Sequence, residues 1–281
     1  MSSSVYRVRA IHCTAHRIKL IATPGTNTYL VGTGHDRILI DTGEGRPEWL
    51  TSITEAVSAE STTISTVILT HWHHDHISGV PDLLSLFPKA RIYKNNPALK
   101  GDPTTWRDIQ DGQRFSVDGA LLRALHCPGH TTDHMALILE DEDAMFTGDN
   151  VLGHGTAVFE DLATYMASLE TMASKLGGRA YPGHGDVIED GRGRILQYIS
   201  HRKEREDQVL EVLGQAKKGK AEGDGISSME IVKTIYVDVP VNLHEAAERG
   251  VVQILQKLAS EGKAEGVQGG RWQAASSSAN L

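Results

Sequence analysis

Between Thr70 and His76 the chain reads Thr-His-Trp-His-His-Asp-His, placing four imidazoles and a carboxylate directly after the apolar run Thr66-Val67-Ile68-Leu69. Imidazole and carboxylate together suit zinc or a similar divalent ion. The H-x-H-x-D-H spacing can send His71 and His73 to one ion while Asp75 and His76 reach a second. Paired ions are a device for hydrolysis, because they acidify a bound water and polarise a carbonyl or phosphoryl oxygen. The plainer reading of a His-rich tract alone, and the lesser one here, is a solvated, metal-sticky loop. Three later positions weigh against that reading: His130 in Cys127-Pro128-Gly129-His130, Asp149 after Phe146-Thr147-Gly148, and His184 in Tyr181-Pro182-Gly183-His184-Gly185. Each follows a glycine at the end of a strand-like run. Glycine admits positive φ and close backbone approach, so each can turn a donor into a shared cleft.

The elements that must carry these residues are legible from periodicity. Strands are expected over 27–32 and 37–41, around the Gly32-Thr33-Gly34 turn, and over the alternating run 120–126. Helices are expected over 47–58, 81–87 and 161–176, the last with Leu162, Tyr165, Met166, Leu169, Met172 and Ala173 at helical spacing, which is a core stripe. The glycine-rich stretch 148–155 lacks the Lys-Ser or Lys-Thr of a phosphate loop, so a nucleotide site is rejected. After Gly191-Arg192-Gly193 the texture changes to a charged helix over 194–217 and a linker over 219–225. Ser227 and Glu230 match a capping box opening the next helix, and 244–261 forms another with Val251, Ile254, Leu255 and Leu258 inward. The organisation read is a catalytic domain over 1–191 and a helical, winged-helix-like region over 192–281, with a disordered tail expected after about residue 273.

Composition sets outer bounds. With 281 residues, 40% of them hydrophobic, the chain can bury one large sandwich and a small appendage. No apolar run approaches the ~20 residues that span a bilayer, and 1–7 lacks the apolar core of a secretory signal, so a cytoplasmic, membrane-free protein is expected. Two cysteines, Cys13 and Cys127, make no disulfide framework, and Cys127 is read as a packing residue rather than a nucleophile. The net charge of −8, with Glu245, Glu248 and Glu261 on the last helix, argues against a general nucleic-acid binder. The appendage is therefore read as a lid or homodimer surface.

The ordered series H-x-H-x-D-H, His130, Asp149, His184 resembles the metallo-β-lactamase superfamily. The resemblance implies an α/β (α+β) four-layer αβ/βα sandwich with the ligands along one edge. In the family pattern His71, His73 and His130 hold the first ion, Asp75, His76 and His184 the second, and Asp149 bridges them. Zn2+ is the expected ion, with Mn2+ also suited to this set. Asp75 would in addition orient the attacking water or accept its proton. By the same resemblance Asp41 would fix an imidazole of the metal loop; the alternative is a turn carboxylate capping Thr42 or Gly43. His74 is expected to face solvent. His134 is expected to line the cleft and donate to a developing oxyanion.

Longer segments, 25–32, 148–162 and Asn242-Leu243-His244-Glu245, are similar to two branches of that superfamily. These are fungal acyl-carrier-protein thioesterases acting with non-reducing polyketide synthases, of the atrochrysone carboxyl type, and β-lactamase-like endoribonucleases. His74, Asn150 with His154, and the stretch 127–134 look closer to the thioesterases, whereas Ala22-Thr23-Pro24 departs from the Leu-Gln pair usual in these relatives. The implied reaction is attack on a polyketide thioester by a hydroxide held between two ions, with the carrier thiolate leaving. Arg192, Arg194, Arg202, Lys203 and Arg205 are the basic candidates for docking an acidic carrier, against the plainer reading of a solvated helix face with internal pairing. A single-strand endoribonuclease using the same ions, and a non-catalytic metal-stabilised binding protein, are the alternatives.

Overall fold

The computed structural model describes residues 18–275 apart from 23–24, 97, 99–100, 103 and 220–223. Cys13, the first seven residues, Thr23 and Pro24, most of the expected linker and the chain beyond residue 275 lie outside the described residues. Contacts divide the chain into two compact units: residues up to Glu160 with Thr164–Leu196, and Asp161–Ala163 with residues from Gln197 onward.

The first unit opens with strands β1 (Ile18–Ala22), β2 (Asn27–Val31) and β3 (Asp36–Ile40), then helix α1 (Pro47–Ala59) and strand β4 (Thr63–Leu69). The one-turn helix α2 (His74–Ile77), α3 (Val80–Leu86) and β5 (Arg91–Lys94) follow. These strands form one sheet in sequence order, antiparallel through β3 and parallel from β3 to β5. A second sheet contains β6 (Arg114–Val117), β7 (Ala120–His126), β8 (Met135–Leu139), β9 (Ala144–Gly148) and, after helix α4 (Leu162–Lys175), β10 (Ala180–Pro182). Its order is β10-β9-β8-β7-β6.

Alternate residues of a strand face opposite sides, and the burial follows that rule. Tyr29, Ile38, Ile40 and Ile68 from the first sheet meet Leu122, Ala124, Leu137, Phe146 and Tyr181 from the second in one core. The intervening Leu30, Leu39, Val67 and Leu69 pack outward against Trp49 and Ile53 of α1 and Val80 and Leu83 of α3. On the far side, α4 buries Tyr165, Leu169 and Met172; its Ser168 hydroxyl donates to the Pro128 carbonyl and its Tyr165 hydroxyl to the Asn150 carbonyl, both at 2.6 Å. The result is the expected four layers: helices, sheet, sheet, helix.

The directions of the strands decide where chemistry can sit. β3 and β4 run parallel, as do β9 and β10, so the ends Ile40, Leu69, Gly148 and Pro182 lie at carboxyl edges. Backbone bonds stitch those edges together: Met135 N–H donates to the Thr70 carbonyl at 2.8 Å, Gly183 N–H to Gly148 at 2.8 Å and Asn27 N–H to Gly183 at 2.7 Å.

The second unit takes the continuation of α5 (Gly191–Gly219), then α6 (Ser228–Ile235), α7 (His244–Ser260) and the hairpin β11 (Ala264–Val267) and β12 (Arg271–Ala274). The capping box forms as read: Ser227 Oγ accepts from Glu230 N–H at 3.2 Å while the Glu230 carboxylate accepts from Ser227 N–H at 2.9 Å. Ile231, Val232, Val251, Leu255 and Leu258 are buried, and Ile226 makes a single antiparallel bridge to Trp272 of the hairpin. This is a winged helix.

The helix read over 194–217 begins earlier, at Gly191, where the Asp190 carboxylate accepts from Gly193 N–H at 2.8 Å. Gln273 and Ala274 of β12 pair with Glu265 and Ala264. Among the described residues no helix is long and apolar enough to cross a membrane.

Candidate metal centre

The candidate metal ligands, with Asp41 and His134, sit in the segments that follow β3, β4, β7, β9 and β10. Asp41, just past β3, adopts φ +59°, a left-handed conformation that Asp tolerates better than bulkier residues. That turn aims its carboxylate at the neighbouring loop. One oxygen accepts from Thr70 N–H at 2.8 Å, and the other accepts from Thr70 Oγ1 at 2.9 Å and His76 Nδ1 at 2.7 Å. Asp41 thus fastens the metal loop, and its side-chain bonds do not go to Thr42 or Gly43.

Two groups of ligand atoms result, His71, His73, His130 and Asp149 in one and Asp75, His76 and His184 in the other, each with its donors within 4.8 Å of one another. In the first, His71 Nε2 lies 3.0 Å from His73 Nδ1 and 3.3 Å from His130 Nε2, and His130 Nε2 lies 3.1 Å from His73 Nδ1. Ligands held about 2.0–2.1 Å from a tetrahedral ion are roughly 3.3–3.4 Å apart, so this triangle has the size of one face of such a site. In the second, His76 Nε2 and His184 Nε2 stand 3.4 and 3.2 Å from Asp75 Oδ2. Asp149 reaches both groups: Oδ2 is 3.2 Å from His184, 3.7 Å from His130 and 3.9 Å from His71, and Oδ1 is 3.4 Å from His76.

The outer nitrogens determine what the inner ones can be. His130 Nδ1 faces the Val158 carbonyl at 2.8 Å, His184 Nδ1 the Gly25 carbonyl at 3.0 Å and His76 Nδ1 the Asp41 carboxylate. Each partner accepts only, so each Nδ1 carries a proton. Thr70 Oγ1 has one proton, and the Asp41 carboxylate is its strongest acceptor; toward His71 Nδ1, at 2.9 Å, the hydroxyl therefore accepts. In neutral rings all four inner nitrogens are then bare lone pairs, converging on one another or on carboxylates. Buried His76 Nε2 and Asp149 Oδ1 face each other at 3.4 Å without a well-formed hydrogen bond. Such an arrangement needs cationic charge at its centre, and the cluster is able to hold a metal ion.

The electrostatics of the bare chain agree. Burial, then the neighbouring imidazoles His76 and His130 respectively, hold His71 well below the ordinary histidine range and His73 near about 4. For His76 burial works downward, but the Asp149 and Asp41 carboxylates outweigh it and raise it. For His184 burial is outweighed by bonds to Asp149 and Asp75, which push it up to about 10. Burial acts upward on Asp75 and Asp149, yet His184 and His76 hold both well below the carboxylate range. With no ion bound, protons on His76 and His184 answer the two carboxylates.

His134 differs from the expectation. It is fully buried, its Nε2 accepts from Asp149 N–H at 3.1 Å and its Nδ1 lies 3.4 Å from Cys127 Sγ. With Nε2 an acceptor, the ring's one proton sits on Nδ1 and points away from the cleft, so His134 offers no donor to an oxyanion and instead holds the Asp149 backbone. Cys127 is buried, and burial pushes its thiol up to about 12, which removes it as a nucleophile at neutral pH. His74 is exposed. Of the basic candidates, Arg192 bonds the Ala173 carbonyl at 3.2 Å, Arg194 bonds Gly155 at 2.9 Å and Arg205 lies over the Tyr236 ring at 4.8 Å.

Four contributors had no ligand-type signal in the sequence. Thr70 links Asp41 to His71, Thr26 Oγ1 donates to Asp75 Oδ2 at 2.8 Å, and the Val158 and Gly25 carbonyls set the His130 and His184 tautomers. The position of Thr70 immediately before His71 was the available hint for the first. The other three depend on segments distant in sequence.

The sandwich with its ligand edge defines a class, and the chain belongs to the metallo-β-lactamase superfamily, whose family profile matches residues 23–184. A second profile, the β-lactamase-associated winged helix domain, matches residues 227–272. Among curated relatives, the lactamase-like protein ptaB of Pestalotiopsis fici is 46% identical over 85% of this chain and 76% of its own length. The atrochrysone carboxyl ACP thioesterase dmxR1 of a Cryptosporiopsis species is 47% identical over 85% of this chain and 76% of its own. The atrochrysone carboxyl ACP thioesterase of Aspergillus chevalieri is 46% identical over 88% and 81%. A β-lactamase domain protein from Burkholderia ambifaria has the same fold, with a TM-score of 0.76 at 17% identity over 98% of this chain and 96% of that one.

Proposed function

We propose that this chain is a metal-dependent thioesterase that releases a polyketide carboxylic acid from an acyl-carrier protein, of the atrochrysone carboxyl-ACP type. The observation that carries the hydrolytic part is the convergence of bare imidazole nitrogens and two carboxylates at one strand edge. The substrate class is supported by relatives named atrochrysone carboxyl ACP thioesterase at 46–47% identity over most of the chain.

In this reading His71, His73 and His130 would hold one ion and Asp75, His76 and His184 a second, with Asp149 placed to serve both; zinc would be the first choice and manganese would suit the same donors. When bound, such ions supply a water deprotonated near neutral pH and a positive field for the tetrahedral oxyanion. The chain's own residues supply orientation. Asp41 and Thr70 hold His76 and His71 in the tautomers that present Nε2, Val158 and Gly25 do so for His130 and His184, and Thr26 steadies Asp75 beside the attacking water. Water adds to the thioester carbonyl, the C–S bond breaks, and the thiolate leaves and takes up a proton. The expected partner is the carrier-protein domain of a non-reducing polyketide synthase.

The test is a paired turnover assay on metal-defined protein, offering a polyketide thioester on its carrier protein and, separately, a labelled single-stranded RNA, with Asp75→Ala as control. Acid release that disappears in the control supports the proposal. RNA cleavage with the thioester left intact would overturn it and move the chain to the nuclease branch.

A further inference from the structure

A lysine and an aspartate lie fully buried beside this edge, and the ligand set uses neither. Lys94 is the last residue of β5, paired in register with Leu69 at the end of β4, one residue from Thr70. Asp133 lies in the 126–135 connection, three residues after His130. Lys94 Nζ is 2.5 Å from Asp133 Oδ2, and both side chains are 0% exposed.

The ammonium donates to the Asn95 carbonyl at 3.0 Å and the Asn96 carbonyl at 3.3 Å and is ion-paired with the Asp133 carboxylate. Its anchor is itself braced. Asn95 Nδ2 donates to the Ile109 carbonyl at 3.0 Å, and Asn96, at φ +48°, donates its N–H to Asp108 at 2.8 Å. On the other side, Asp133 Oδ1 accepts from Thr131 Oγ1 at 2.8 Å. Thr131 is fully buried, and its carbonyl accepts from Gly129 N–H at 3.0 Å, which closes a tight turn around His130. The chain of contacts therefore runs from the strand beside the metal loop, through a charge pair, to the turn that presents His130.

Taking two charges out of water costs several kcal/mol per ion, and a buried pair is often no more stable than apolar residues of the same volume. Stability alone is a poor account of a Lys–Asp pair next to the apolar core. What the pair supplies is position, since an ammonium bonded to two carbonyls and paired with a carboxylate holds its partners to a narrower geometry than dispersion does. The His130 ring needs that, because its Nε2 must stand 3.1 and 3.3 Å from nitrogens carried by a loop of the other sheet.

We infer that Lys94 and Asp133 are positioning residues that lock the His130 turn against the metal loop and so set the ion affinity of the His71, His73 and His130 group. The inference rests on the metal reading of those histidines and not on the identity of the thioester.

The experiment uses the full chain stripped of metal, as wild type, Lys94→Met, and the double variant Lys94→Met with Asp133→Leu, which removes both charges and keeps the volume. Each protein is titrated with Zn2+ against a chromophoric chelator, its Co2+ absorption spectrum is recorded, and its urea midpoint is measured without metal. The expected result is a double variant that folds with a midpoint close to wild type, yet binds one of its ions 10- to 100-fold more weakly and shows an altered Co2+ spectrum. A folded double variant with both affinities within twofold of wild type would overturn the inference, as would loss of folding in both variants, which would assign the pair to stability. A wild-type chain that takes up no divalent ion would sink the metal reading, and this role with it, whatever the thioester assay returns.

Discussion

Replacing Asp41 by asparagine exchanges one carboxylate oxygen for an amide NH2, keeps the volume, and keeps a residue that tolerates the left-handed backbone at φ +59°. The amide oxygen can still accept from Thr70 N–H, but the NH2 then faces Thr70 Oγ1 and His76 Nδ1, two groups that now donate to the carboxylate. Donor opposes donor, and His76 relieves the clash by moving its proton from Nδ1 to Nε2, the nitrogen that would bind an ion. A hydrogen bond to a charged group contributes about 1.5–3 kcal/mol, and loss of such a supporting carboxylate typically weakens metal binding about 10- to 100-fold. At about 1.4 kcal/mol per tenfold, those ranges agree. The expected outcome for Asp41→Asn is therefore a 10- to 100-fold weaker Zn2+ constant, read by chelator competition, with the larger loss at the Asp75, His76 and His184 group. Asp41→Ala, which imposes no tautomer, serves as control. Unchanged zinc affinity in a folded Asp41→Asn protein would refute the tautomer argument made for His76 and, by extension, that for His71.

Because His76 is raised and His184 stands near about 10 in the bare chain, both carry protons at neutral pH, and an ion must displace them. Zinc titrations at pH 7.5, a value inside that window, should release protons, seen as calorimetric heats that depend on the buffer; heats independent of the buffer would contradict the assignment. The same shifts shape metal-free stability. His184 and His76 bind protons more tightly folded than unfolded, so their contribution is complete below about 6.5 and for His184 is lost as pH rises through about 10. His71 and His73 are depressed, so theirs is complete above about 6.5 and for His73 is lost as pH falls through about 4. The urea midpoint of the stripped chain should peak near neutrality and fall on both sides, and a midpoint rising steadily from pH 6 to 9 would contradict these signs. Cys127, buried and near about 12, should resist iodoacetamide at pH 8 in the native chain and react in urea, as followed on its own peptide by mass spectrometry. Gly129 sits at φ +134°, where a Cβ would lie 2.3 Å from the Tyr165 backbone, so Gly129→Ala should displace the His130 turn and lower both the urea midpoint and zinc uptake.

Donor chemistry and element order were local properties, and the sequence by itself determined them. Thr70-His71-Trp72-His73-His74-Asp75-His76 announces a metal loop because imidazole and carboxylate have few other reasons to crowd a strand end. The glycines before His130, Asp149 and His184 mark strand ends because a positive φ or a close approach leaves little choice of residue. Periods of two and 3.6 placed the strands and helices within a few residues, and the Ser227–Glu230 capping box is satisfied inside a single turn.

What only the tertiary structure decided were the relations between segments far apart in the chain. His134 belongs to the same motif as His130, and sequence offers no means of telling which imidazole faces the cleft; its inward turn follows from where the Asp149 backbone arrives. Thr26, Val158 and Gly25 act through one hydroxyl and two carbonyls, which carry no ligand signature and gain meaning only when β2, the loop after β9 and the His184 turn meet. The Lys94–Asp133 pair was invisible for the same reason: a strand-end lysine and a loop aspartate look like solvated charges until two sheets close over them. Residue type sets what a group can do, but its protonation, partner and direction are set by neighbours that the fold delivers.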